Sequence, residues 1–136
     1  MAVERMTFDL WCGIKCKEEL VCNPGVEQFE RALQGLDGNK RTLLCLESAK
    51  GPQLVVGGGD GGYIVYIAFS DMEFWNLLSD IESDERVLIT AGGQQGDYPL
   101  RQVVDKQRAY QAGVAFLRHG GLAENLKWQS KNSSLH

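Results

Sequence analysis

No apolar run in this 136-residue sequence exceeds the seven residues from Tyr63 to Phe69, whereas a helix that spans a bilayer needs about 20. A transmembrane helix is excluded and no membrane partner is expected. Glu4 and Arg5 interrupt the N-terminus, which then alternates polar and apolar residues and has no continuous apolar stretch of a secretory signal. The expected location is the cytoplasm. An excess of positive charge is also missing: 14 Lys and Arg face 18 Asp and Glu, a formal charge of −4. That balance argues against direct binding of nucleic acid by general electrostatic attraction.

Histidine is almost absent. His119 falls at the end of an expected helix, where the helix dipole favours a cation, and His136 is the final residue. Neither is placed as a catalytic base. No two carboxylates are paired by spacing as a glycosidase requires, and Cys45 in an apolar strand would carry an unactivated thiol. No catalytic residues are expected, so the chain does not read as an enzyme. The glycine-rich segment from Gly57 to Gly62 lacks the GxxxxGK[ST] pattern and any lysine, contains Asp60, and is followed by a strand. These features exclude a phosphate-binding loop, and no cofactor is expected.

The four cysteines do not follow zinc-site spacing, and no histidine lies near them. Met6, Phe8, Leu10, Cys12, Ile14 and Cys16 occupy the even positions of a period-2 pattern, with Thr7, Asp9 and Lys15 between them. One strand over this stretch would hold Cys12 and Cys16 about 13 Å apart, too far for a shared metal or disulfide. Free, mostly buried thiols are the expectation, with no metal site.

Two helices are legible. Asn23 and Pro24 read as an N-cap and first helical residue, with Val26, Phe29, Leu33 and Leu36 following at helical spacing and an end near Gly38. Asp105 caps the second, which runs through Ala109, Ala112, Phe116 and Leu117 to Gly120. Strands are expected at Thr42 to Glu47, Gln53 to Gly57, Tyr63 to Phe69 and Arg86 to Thr90, and a short strand or helical turn around Met72 to Leu78. The Tyr63 strand is apolar on both faces, which marks a central strand or one that contributes to an interface. Glycine at 57 to 62 suits a hairpin turn. Ala91 to Pro99 reads as a loop, Leu122, Leu126 and Trp128 as a short tail packed back on the domain, and residues 129–136 as a frayed end. The fold expected is α+β, a single domain over 1–136 with a five- to six-stranded, largely antiparallel sheet and two main helices.

Charge is uneven along the chain. The 35 residues between Lys50 and Arg86 hold Asp60, Asp71, Glu73, Asp80, Glu82, Asp84 and Glu85 without a single base, so this segment is −7 and the remainder +3. An acidic run with interleaved Phe74 and Trp75 can be a solvated face over core aromatics, or a surface that enters a basic groove. Gln94, Gln95, Asp97 and Tyr98 either cap a glycine turn or are presented to a partner. Arg101 is expected to pair with an acidic neighbour.

Motif order then becomes informative. The triple-glycine hairpin, the Gly92-Gly93-Gln94-Gln95-Gly96-Asp97-Tyr98-Pro99 segment and the closing helix with Leu126-Lys127-Trp128 resemble immunity protein family one of bacterial polymorphic toxin systems, over roughly residues 25–129. The resemblance implies a small α+β protein that binds a cognate toxin domain and neutralises it, the toxin in several such systems being a nucleic-acid-targeting enzyme such as a deaminase. Combined with the local acidity, it marks Asp71, Glu73, Trp75, Asp80, Glu82, Asp84, Glu85, Gln94, Gln95, Asp97 and Tyr98 as expected toxin contacts that occlude its active site. The reading from another class is a small-ligand-binding or regulatory domain with its pocket at the glycine-rich hairpin and the Gln-rich loop. No family motif covers the first 24 residues.

Overall fold

The computed structural model describes residues 3–130. Nine strands are present: β1 (Val3–Cys12), β2 (Lys15–Cys22), β3 (Leu43–Ser48), β4 (Gln53–Gly59), β5 (Gly62–Ser70), β6 (Glu73–Leu77), β7 (Arg86–Ala91), β8 (Gln94–Pro99) and β9 (Trp128–Ser130). Helix α1 (Val26–Gly35) follows β2, and α2 (Lys106–His119) follows β8. Seven strands form one sheet in the order β2-β1-β3-β4-β5-β6-β9, and β7-β8 stand apart as a two-stranded ribbon. The α+β class and the antiparallel sheet with two helices match expectation. The sheet is wider than five or six strands because the N-terminal stretch folds back as a hairpin and the C-terminal stretch adds an edge.

Direct cross-strand neighbours share a face, so the register sorts the side chains. Met6, Leu46, Leu54, Ile67 and Trp75 form one row across the sheet, and Phe8, Leu44, Val56 and Val65 the next. Apart from Trp75 at the end of its row, these residues pack with Phe29, Leu33 and Leu36 near α1 and with Ala109, Ala112, Phe116 and Leu117 of α2, which together make the core. The opposite face carries Leu20, Thr7, Cys45, Val55, Tyr66, Asn76 and Gln129 in one row. The β7-β8 ribbon covers part of this second face.

Several expectations are corrected. Asn23 is not the cap of α1: it has φ +48°, outside the extended region an N-cap uses, and its N–H donates to the Glu4 carbonyl at 2.7 Å. Gly25 caps the helix, with its N–H donating to Gln28 Oε1 at 2.6 Å. The helix stops at Gly35, and Asp37 Oδ1 then accepts from the backbone N–H groups of Asn39, Lys40 and Arg41, closing a turn that contains Gly38. Those hydrogen bonds hold the Asp37 carboxyl below its ordinary value. Met6 to Cys16 is not one strand, since Gly13 and Ile14 turn it and place Cys16 opposite Trp11. Cys12, Cys16 and Cys22 are exposed instead of buried, and Cys45 is half-buried. Gln129 and Ser130 pair with Asn76 and Trp75, so the chain is ordered past Trp128. The expected frayed end at 131–136 lies outside the described residues.

The second helix follows its sequence signals. Asp105 accepts from the Arg108 N–H at 2.8 Å, and Gly120 closes the helix at φ +70°.

Candidate functional site

The ribbon is seated on glycine. A Cβ on Gly57 would stand 2.6 Å from Ala91 Cβ, and one on Gly58 3.1 Å from Ile89 Cγ2, so β7 lies closer to β4 than side chains would permit. Ala91 to Pro99, read as a loop, is therefore corrected. Gly92 and Gly93, with φ +64° and +77°, form a two-residue hairpin turn between Ala91 and Gln94, and β8 follows. Its sequence is polar because the ribbon has one face toward the sheet and the other toward solvent. The turn is anchored where the Gly93 N–H donates to Thr42 Oγ1 at 3.0 Å and Trp11 lies over Gly93. Thr42 and Trp11 are fixed in turn by Asp9, a carboxylate 7% exposed, which accepts from the Thr42 N–H and hydroxyl, the Leu43 N–H and Trp11 Nε1.

Register within the ribbon divides the expected site residues. Gln94, Gly96 and Tyr98 share a face with Ala91, Ile89 and Val87, toward the sheet, whereas Gln95 and Asp97 face outward with Thr90 and Leu88. Tyr98 meets Ile64, Tyr66, Phe74, Asn76 and Gln102 around a cleft of about 320 Å³ between ribbon and sheet. Burial, then nearby Cys45 and Tyr98, pushes the Tyr66 phenol above its ordinary pKa. Phe74 packs tilted against Tyr66 with ring centroids 6.3 Å apart. Trp75, its neighbour, belongs to the helix-side face and donates from Nε1 to Glu73 Oε2 at 3.0 Å.

Strand β6 also splits the acidic segment. Asp71 and Glu73 lie at its start, and residues 78–85 leave from its other end to run beside the ribbon. This loop is held by main-chain bonds from Ser79 N to Arg101 O, Arg101 N to Ser83 O and Leu100 N to Glu85 O. Asp80 pairs with Arg108 and sits 3.9 Å from Lys127, while Asp84 meets Arg101 at 2.9 Å, the acidic pairing expected for that arginine. Asp97 is 3.4 Å from Arg86 across the ribbon. Among the described residues, Asp71, Glu82 and Glu85 form no ion pair. The structure thus brings residues 80–85 to the Arg86–Pro99 end of the ribbon, where Asp97 pairs with Arg86, sets Gln95 toward the hairpin turn, and separates the loop from Asp71, Glu73 and Trp75 by the length of β6. Ile81 and Leu88 are exposed in the same region.

Sequence reasoning missed the cleft residues Ile64, Tyr66, Asn76 and Gln102. The only signal was the two-faced apolarity of Tyr63 to Phe69, which fits the covering of β5 from both sides. Among the described residues, no group of three or more His, Cys, Asp or Glu is arranged to hold a metal. No helix there is long and apolar enough to cross a membrane.

The chain is thus an α+β scaffold that displays a two-stranded ribbon, an acidic loop and an aromatic cleft. More narrowly, the chain belongs to the family described as Immunity protein Imm1, whose sequence profile matches residues 18–130. Membership implies a toxin-neutralising immunity function, with a cognate toxin protein as partner. No curated protein matches the chain in sequence.

Proposed function

We propose that this protein neutralises its toxin in the cytoplasm by stoichiometric binding without catalysis, and that it occludes the toxin's active site with the ribbon and the loop beside it. The contacts in this reading are Glu82, Asp84, Glu85, Gln94, Gln95, Asp97 and Tyr98. The observation that carries it is the position of Glu82 and Glu85, acids with no ion pair among the described residues, in the loop bonded to the base of a ribbon that is seated on the sheet. Acidic side chains on a preorganised surface complement a basic substrate groove, which points to a nucleic-acid-targeting toxin such as a deaminase. Asp80, neutralised by Arg108, holds the loop and contributes little to the encounter.

The test is co-expression with the toxin domain encoded next to this gene. The two proteins co-purify and growth is rescued if the proposal holds; a toxin that stays active and unbound overturns it. Glu82→Lys with Glu85→Lys slows association and flattens its salt dependence, because steering by exposed charges is screened within a Debye length of about 8 Å at physiological salt. Unchanged association kinetics would place the interface elsewhere. The cleft supports a second reading, since about 320 Å³ is at the lower end of small-ligand sites. A thermal shift with a nucleotide or metabolite panel in the absence of any protein partner would favour that reading.

A further inference from the structure

Strand β2 ends the seven-stranded sheet, and among the described residues nothing pairs with its outer edge. All of its residues except Val21 are exposed. The turn before it has two residues, Gly13 and Ile14, with Gly13 at φ +67° in the first central position, as a type II′ hairpin turn requires. In such a hairpin the closing pair, Cys12 and Lys15, exchanges both main-chain hydrogen bonds, and bonded and non-bonded pairs then alternate. Lys15, Lys17, Glu19 and Val21 thus turn their main-chain groups toward β1. Cys16, Glu18, Leu20 and Cys22 turn theirs outward, a row of free donors and acceptors ready for another strand.

Lysines on an edge normally prevent such pairing. Here the charge changes sign within the strand: Lys15 and Lys17 come first, Glu18 and Glu19 follow. A strand of this kind is complementary to its own antiparallel copy. Exposed apolar side chains flank these charges, Ile14 at 96% in the turn before the strand and Leu20 at 56% within it.

We infer that β2 pairs with β2 of a second copy of this chain, antiparallel, about a twofold axis through Lys17. That register sets Cys16 opposite the second copy's Glu18 as a hydrogen-bonded pair using only outward main-chain groups. It sets Lys15 opposite the second copy's Glu19, which Arg41 already holds at 2.7 Å, and buries Ile14 against the second copy's Leu20. The two Lys17 residues face each other on the axis, each with a Glu19 diagonal to it. Because the axis is perpendicular to the sheet, both β7-β8 ribbons emerge on the same side of one continuous sheet. The dimer therefore leaves the proposed toxin-binding surface free in both copies, and its existence does not depend on that proposal.

Light scattering and sedimentation of the full chain test this. The expected mass is twice 15.1 kDa, falling to the monomer value in Leu20→Lys and in Glu18→Pro, where proline removes only an outward N–H. Register is read by cross-linking with Cys12, Cys16 and Cys22 replaced by Ser. Lys17→Cys on that background forms an oxidised dimer, because a non-hydrogen-bonded pair places its Cα atoms about 4.5 Å apart, within disulfide range. Lys15→Cys does not. A monomeric mass for the unmodified chain at every concentration overturns the inference, as does a dimer that survives Leu20→Lys or a Lys15→Cys cross-link as efficient as that of Lys17→Cys. If Glu18→Pro fails to fold, Leu20→Lys and the cysteine pair still decide the question.

Discussion

Gly113 lies in the middle of α2 with the ring of Phe29 pressed onto its Cα, so that a Cβ would fall inside the ring's van der Waals envelope. Phe29 is fully buried and stacks on Tyr110 at 6.3 Å, so it has no space to retreat. Alanine in place of a helix glycine ordinarily gains about 1 kcal/mol, but overpacking a core costs about 1–3 kcal/mol. Gly113→Ala is therefore expected to lower stability, read as a reduced midpoint in denaturant unfolding with an unchanged slope. Cysteine reactivity is decided at the same scale. Burial, reinforced by Glu47 and Glu18, pushes the Cys45 thiol up to about 12, whereas Cys12, Cys16 and Cys22 are exposed. A thiol reagent at mildly alkaline pH should titrate the three exposed cysteines quickly and Cys45 only slowly or on unfolding. Four equally fast thiols would contradict the burial.

Arg108 of helix α2 ties down the loop between β6 and β7, pairing with the Asp80 carboxylate and donating to the Leu78 carbonyl at 3.0 Å. The hydrogen bond and charge of Arg108 hold the Asp80 carboxyl below its ordinary value of 3.8, and Asp80 in turn raises the already high Arg108. A carboxyl whose folded pKa is depressed adds stability that is present above its unfolded value and disappears as pH falls through the folded one. Asp80→Asn should thus lower the thermal midpoint at neutral pH, with the gap to the unmodified protein closing in acid. A gap that persists below the depressed pKa would mean the pair is not its source. Elements differed in how legible they were. Helix α2 was readable because Asp105 and Gly120 act locally, through a cap and a positive φ. Strand β8 was not: Gln94 to Pro99 has no apolar alternation, and its extended form comes from pairing with β7 across a two-residue turn, while its glycine and proline read as a loop. The acidic segment likewise read as one patch, although its two parts lie at opposite ends of β6. Phe74 and Trp75 show the remaining limit, since only the register with β5 decides which ring enters the cleft.

Across the whole molecule, stability is unevenly distributed. The central strands β4 and β5 are covered by helices on one side and by the ribbon on the other, while the ribbon itself rests on few side chains and on the link from Gly93 to Thr42. Native-state hydrogen exchange should therefore find the β7-β8 amides opening at lower free energy than those shared by β4 and β5. Equal protection would show that the two layers unfold as one unit. The glycine seat beneath the ribbon has a further effect. Ala91 and Ile89 of the ribbon meet bare backbone at Gly57 and Gly58, so it is the inward row of the ribbon that meets the glycine seat, while Leu88, Gln95 and Asp97 lie on its other face. Substitutions at outward Leu88, Gln95 and Asp97 can alter what a partner meets without any matching change below. If the outward face of the hairpin meets the toxin, as proposed above, a lineage of such proteins can follow a drifting opponent by rewriting one row of side chains while the glycine seat beneath stays the same.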